Sequence, residues 1–210
     1  MSVTTASRIA TLLASFIIVS LSYAEILPMA RDRLEEARQL GKKAVKEDQI
    51  IFTGTCRTKS THGLHMFEVT LTTPFAAVAY ASFDSKKEGG SFDLGDWPID
   101  PADKQRVIVA ADPAALAPVG LPPVPPVNVA TVVLRRGEQV VEPDRTESHD
   151  VLFPGPSGKA RKFRGGAFYF PLSHFASENG DLEIVVIPET DKPGAEAVLK
   201  LKRSQLAKLR

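Results

Sequence analysis

The sequence predicts an α+β protein, predominantly antiparallel β and sandwich-like, with an N-terminal amphipathic helix and one Ala-rich helix. Three observations predict it. From residue 129 onward, short runs rich in β-branched and aromatic residues alternate between turn residues. Two earlier segments instead repeat apolar residues every three or four positions, which is the helical period. Between residues 113 and 126, six prolines fix φ and remove backbone donors, which enforces an extended connector.

The first 24 residues are set apart from this body. Arg8 gives a weakly positive start, 13 uncharged residues follow at 9–21, and Ser22-Tyr23-Ala24 supplies the small residues that a signal peptidase reads. A cleaved secretory signal peptide ending at Ala24 is expected, and with it a secreted or periplasmic location. A retained anchor is disfavoured because 13 helical residues reach only about 20 Å into a hydrocarbon core of roughly 30 Å. The remaining 186 residues carry 25 basic and 25 acidic side chains, enough chain for one compact domain. They divide as an amphipathic helix (25–48), a first α+β part (49–112), a Pro-rich connector (113–127) and a β-rich part (128–210).

In order along the chain, residues 28–47 place Leu34, Ala37, Gly41 and Ala44 on one helical face and charges on the other. A stripe this small suits close packing on a sheet better than a dimeric coiled coil. Residues 50–57 alternate as a strand that turns Cys56 inward, and 66–72 form a second strand with Phe67, Val69 and Leu71 on one side. Thr73-Pro74 is a helix start, cap then first-turn proline, and Lys86 and Lys87 precede Gly89-Gly90 at the stop, so a helix is expected over 74–87. A buried strand follows at 106–111, then the extended Pro-rich run from 112. Strands at 129–135 and 139–142 flank Arg136-Gly137-Glu138, a hairpin signal. Further strands are expected at 149–153, 167–170, 182–188 and 195–202, with a closing helical turn that Ser204 caps and that carries Leu206 and Leu209.

Charge and motif arithmetic exclude several functions. A formal charge of +1 gives no footprint for nucleic acid, which requires many phosphates to be neutralised. One cysteine excludes a disulfide scaffold. Cys56, His62 and His65 match no structural zinc spacing. Asp93, Asp96, Asp100 and Asp103 form a weak calcium candidate, since a hard ion takes carboxylates, but the EF-hand order is missing. Gly155-Pro156-Ser157-Gly158-Lys159 lacks the interval between glycines that a phosphate loop needs. Ser148, His149 and Asp150 are neighbours on a strand, so they point to alternate faces and form no triad among themselves. No cofactor is expected.

The balanced total conceals a dipole: residues 25–155 sum to −4 and residues 156–210 to +4. Lys159, Arg161, Lys162 and Arg164 put four cations in six residues, bounded by glycines, which suggests a mobile basic finger for an anionic surface or protein partner. The function expected is that of an exported, non-enzymatic β-rich binding or structural module. The alternative is a secreted hydrolase drawing on His149, Asp150 or the acidic loop at 91–104.

Overall fold

Among the described residues nine strands and three α-helices form, most of them where the sequence alternates with a period of two or repeats with a period near four. The computed structural model describes residues 31–47, 54–60, 65–93, 105–115, 125–155, 159–190, 192 and 194–206. The expected signal peptide, His62, Asp96, Asp100 and Asp103 lie outside the described residues, as does the side chain of Cys56.

Two antiparallel sheets result. The first contains β1 (Gly54–Lys59), β2 (Met66–Thr72), β3 (Arg106–Ala114), β6 (Arg145–Pro154) and β7 (Ala160–Pro171), in the order β1-β2-β3-β7-β6. The second contains β4 (Val129–Arg136), β5 (Gln139–Val141), β8 (Leu182–Pro188) and β9 (Ala197–Leu201), in the order β5-β4-β8-β9. A single bridge, Ser60 to Ala197, joins the end of β1 to β9. Gly137, at φ 59°, supplies the left-handed residue that the two-residue β4–β5 turn requires.

Period-two alternation explains the core. Phe67, Val69 and Leu71 of β2, Val107, Val109 and Ala111 of β3, and Phe168 and Phe170 of β7 are buried from the first sheet. Val132 and Leu134 of β4, Ile184 and Val186 of β8, and Ala197 and Leu201 of β9 join them from the second. One hydrophobic cluster therefore draws on both sheets, and each large side chain removed from water contributes about 1.5–3 kcal/mol. Leu206, on the short α3 (Arg203–Leu206), closes it. The turn begins at Lys202, whose N–H donates to Gln205 Oε1 at 2.9 Å, rather than at Ser204, and Leu209 is outside the described residues.

The helices make a second, separate cluster. Thr73 caps α2 (Pro74–Lys87) by accepting from Ala76 N–H at 3.2 Å, with Pro74 in the first turn as expected. The partner of α1 (Arg31–Glu47) is this helix and not a sheet. Ala37 and Ala44 pack with Val78, Ala79 and Phe83, and Ser82 Oγ donates to the Arg38 carbonyl at 2.9 Å. A stripe of Ala and Gly is equally suited to close approach between helices, and Thr73 delivers α2 directly to it.

Three strands exceed their expected lengths. β3 runs on to Ala114, so Pro113 belongs to the strand, opposite Phe67, and not to the connector. β7 leaves β3 after Ala111, which frees one edge where a residue without an N–H is tolerated. β6 starts at Arg145 and β7 at Ala160; their polar residues pair in full register even where no core lies beneath them, which hides them from hydrophobic periodicity. β1 runs to Lys59, two residues past its expected end at Arg57, and the expected residues 50–53 lie outside the described residues.

Across the outer face of the second sheet, Glu183 is the central residue of a charged row. It accepts from Arg135 Nε at 2.8 Å and from Lys200 Nζ at 2.9 Å, each its partner in the strand register. The Lys200 ammonium first, then the Arg135 guanidinium, hold its pKa below the usual 4.5. A depressed carboxylate stabilises the fold above its unfolded pKa and loses that contribution as pH falls through the folded value. Glu183→Gln is therefore expected to melt lower than wild type near neutrality and to converge on it as pH falls through the lowered folded-state pKa. Melting curves from pH 7 to 2.5 check this, and a constant offset would contradict it.

Candidate functional site

The four cations of the basic segment stand on a β-ribbon and not on a mobile finger. Arg161, Lys162 and Arg164 lie within β7, paired to Phe153, Leu152 and Asp150 of β6, and Lys159 immediately precedes the strand. The Gly155 N–H donates to the Lys159 carbonyl at 3.0 Å and closes the tip. Because β3 pairs with β7 only as far as Gly166, the ribbon extends past that pairing with no third strand beside it among the described residues.

Alternation divides the cations into unequal roles. Arg164 faces the second sheet: its Nη2 reaches Glu189 Oε2 at 3.0 Å, its N–H donates to Asn128 Oδ1 at 2.9 Å, and Asn128 Nδ2 donates to Glu189 at 2.8 Å. This network ties the ribbon's base to the ends of β4 and β8. Lys162 pairs with Asp150 at 2.6 Å, which raises the lysine pKa through the hydrogen bond and the charge. Lys159 and Arg161 have no carboxylate partner among the described residues, and both are exposed. On the Arg161 face Phe153 packs edge-to-face on Phe163 with centroids 5.5 Å apart, while Leu152, 61% exposed, stands on the opposite face with Lys162.

On the outer face of the first sheet, His149 lies across Gly165 and its Nε2 meets Asp112 Oδ1 at 2.6 Å. His149 and Gly165 are register partners, and a Cβ on Gly165 would run into Asp112 and come within 3.0 Å of His149 Nε2. The glycine is what allows strands β6 and β3 to exchange a side-chain contact over the strand between them. Next along this face Arg145 stacks over Tyr169 at 3.8 Å, and the Tyr169 hydroxyl donates to Glu147 at 3.0 Å. Asp150, on the opposite ribbon face, is separated from His149; neither hydroxyl nor thiol is hydrogen-bonded to His149 among the described residues.

The sequence reading missed a third feature. At the far end of β4 a cleft of about 420 Å³ is lined by Leu134, Arg136, Gln139, Val141, Ser173, His174, Asn179 and Leu182. Arg136 follows Val132 and Leu134 on the core-facing side of β4, so its guanidinium enters the end of the core. Its Nη2 donates to the carbonyls of His174 at 3.2 Å and Ala176 at 3.4 Å, while Nε is occluded without a partner. Burial pushes the arginine pKa down, and the Glu178 charge opposes that shift.

Of the remaining candidates, Asp93 is exposed after α2 and its charge reaches Arg38 of α1; the three other loop aspartates are outside the described residues. His65 has both ring nitrogens buried without a hydrogen-bond partner, and burial, then Lys192, lowers its pKa. Among the described residues no group of three or more His, Cys, Asp or Glu could hold a metal ion. No described helix is long and apolar enough to cross a membrane. Comparison with protein-family models, curated proteins and solved structures yields no match.

Proposed function

We propose that this chain is an exported, non-enzymatic β-sandwich module of the cell envelope or extracellular space, and that the β6–β7 ribbon engages an anionic partner surface. The observation that carries this reading is the ribbon tip. Lys159 and Arg161 have no carboxylate partner there among the described residues, and Arg161 shares its face with the Phe153–Phe163 pair while Leu152 is exposed on the reverse face, on a ribbon that runs past its pairing with β3. Cations with adjacent apolar side chains suit a surface that offers both charge and partly dry contact. The sandwich reading is supported by the single cluster to which both sheets contribute. Export is supported by the apolar run and small-residue site within residues 1–24.

Retention on a sulfated anionic matrix tests it. If each tip cation releases one counterion, Lys159→Ser with Arg161→Ser lowers the log–log salt slope by about 2. Lys162→Ser, whose ammonium Asp150 already neutralises, changes it less. An unchanged slope in the double variant removes the ribbon from the reading.

The alternative, a secreted hydrolase, draws on the His149–Asp112 pair, which reproduces a base and its orienting carboxylate. It needs a nucleophile within hydrogen-bond reach of His149. The described residues supply none, and on that ground the binding reading is preferred.

A further inference from the structure

We propose that the cleft at the Arg136 end of the second sheet binds a small organic carboxylate with an apolar body. This site lies at the opposite end of β4 from the ribbon's anchor at Asn128, so it is independent of the surface reading above.

The first argument is the state of Arg136. An arginine recruited only to tie a hairpin to a turn would spend its donors on that tie. Here Nη2 alone is spent, on two carbonyls; Nε is occluded and unpartnered, and Nη1 makes no hydrogen bond among the described residues yet is not occluded. Nη1 is therefore the donor left for a bound acceptor, which it can meet without disturbing the two carbonyl bonds. The two carbonyl bonds and the Gln139 pairing across the hairpin also hold the guanidinium in place before any ligand arrives.

The second argument is the lining. Gln139, Ser173 and Asn179 offer further hydrogen-bond donors, and none of the lining residues carries a carboxylate. Glu178 acts on Arg136 only through space and forms no hydrogen bond with it. Opposite these polar groups, Leu134, Val141 and Leu182 make an apolar floor. A single cation matches the one charge of a carboxylate, whereas a phosphate dianion would want a second positive group. The floor then requires that the carboxylate be attached to something apolar, and about 420 Å³ is within the range of small-molecule sites.

The test is a titration of the full ¹⁵N-labelled chain with benzoate at constant ionic strength, followed by amide chemical shifts. Acetate serves as the charge without an apolar body, and benzyl alcohol as the body without a charge. Saturable benzoate shifts are expected at Gln139, Ser173, His174, Asn179 and Leu182, with acetate at least about tenfold weaker and the alcohol silent, a tenfold step being the usual return on one such group. Arg136→Met should abolish the response. Should that variant not fold, Gln139→Leu and Ser173→Ala, which keep the carbonyl tie, should each weaken benzoate several-fold. Lys159→Ser with Arg161→Ser should bind benzoate like wild type, whatever it does on the matrix. Absence of saturation, equal shifts from the alcohol, or undiminished benzoate affinity in folded Arg136→Met or in both polar variants would overturn the proposal.

Discussion

Phe170→Ala is expected to cost about 3–5 kcal/mol, a large share of the ~5–15 kcal/mol that holds a typical domain together. Phe170 is 0% exposed, lies opposite Val107 in the β3–β7 ladder and belongs to the cluster that both sheets share. Its removal loses the transfer energy of a benzyl group and also leaves a cavity that two hydrogen-bonded sheets cannot collapse to fill. For a chain of this size the melting temperature should fall on the order of 10 °C. Leu152→Ala is the matched control: Leu152 is apolar too, but 61% exposed on the ribbon, so its melting shift should stay near the ±0.5 kcal/mol of a surface substitution. Thermal denaturation of the two variants side by side checks both. Equal shifts would mean that Phe170 does not sit in the core to which both sheets contribute.

The pair also shows which parts of this fold are legible in sequence. Residues such as Phe67, Val69 and Leu71, or Leu182, Ile184 and Val186, declare themselves because one strand face must leave water and the pleat has a period of two. The second helix is legible at both ends, because Thr73, Pro74 and the closing lysines each satisfy a local demand of the helix terminus. Where no core lies beneath a strand, that signal vanishes. Residues 160–165 and 145–150 pair over their full length as a ribbon, yet their polar composition reads as a loop. The same limit turned four neighbouring cations into one finger, whereas alternation sends Arg164 to Glu189 and leaves Arg161 on the opposite face.

The sites were less legible, for two different reasons. His149 meets Asp112 only because Gly165 stands between them in the register, and no local pattern reveals which strand lies between two others. Arg136, by contrast, was within reach: Val132, Leu134 and Arg136 share a parity, which places a charge on a core face at a strand end. A cation on an apolar face was the available signal.

Gly41→Val is expected to separate the two helices while leaving the sheets intact. Two effects of opposite sign compete at this position. In an isolated helix, replacing Gly removes a penalty of up to about 1 kcal/mol, so a side chain at position 41 would stabilise α1 if nothing faced it. Here the Cβ would be driven into the Ala79 carbonyl oxygen and would come within 3.0 Å of the Phe83 backbone nitrogen and Ser82 Cβ. Backbone cannot rotate away as a side-chain end can, and overpacking of this kind costs about 1–3 kcal/mol or more, a penalty that the second branch of valine increases. The clash therefore wins over propensity. Because Ala37, Ala44, Val78, Ala79 and Phe83 form a cluster apart from the one that both sheets share, the damage should stay local. Hydrogen exchange is expected to lose protection in α1 and in the facing turns of α2, with Val107, Val109, Ile184 and Val186 protected as in wild type. The Ser82 hydroxyl, deprived of the Arg38 carbonyl, would turn to solvent. Gly41→Ala separates the alternatives by sign: slower exchange in α1 would mean that the helix stands alone and propensity rules, and faster exchange that it lies against α2.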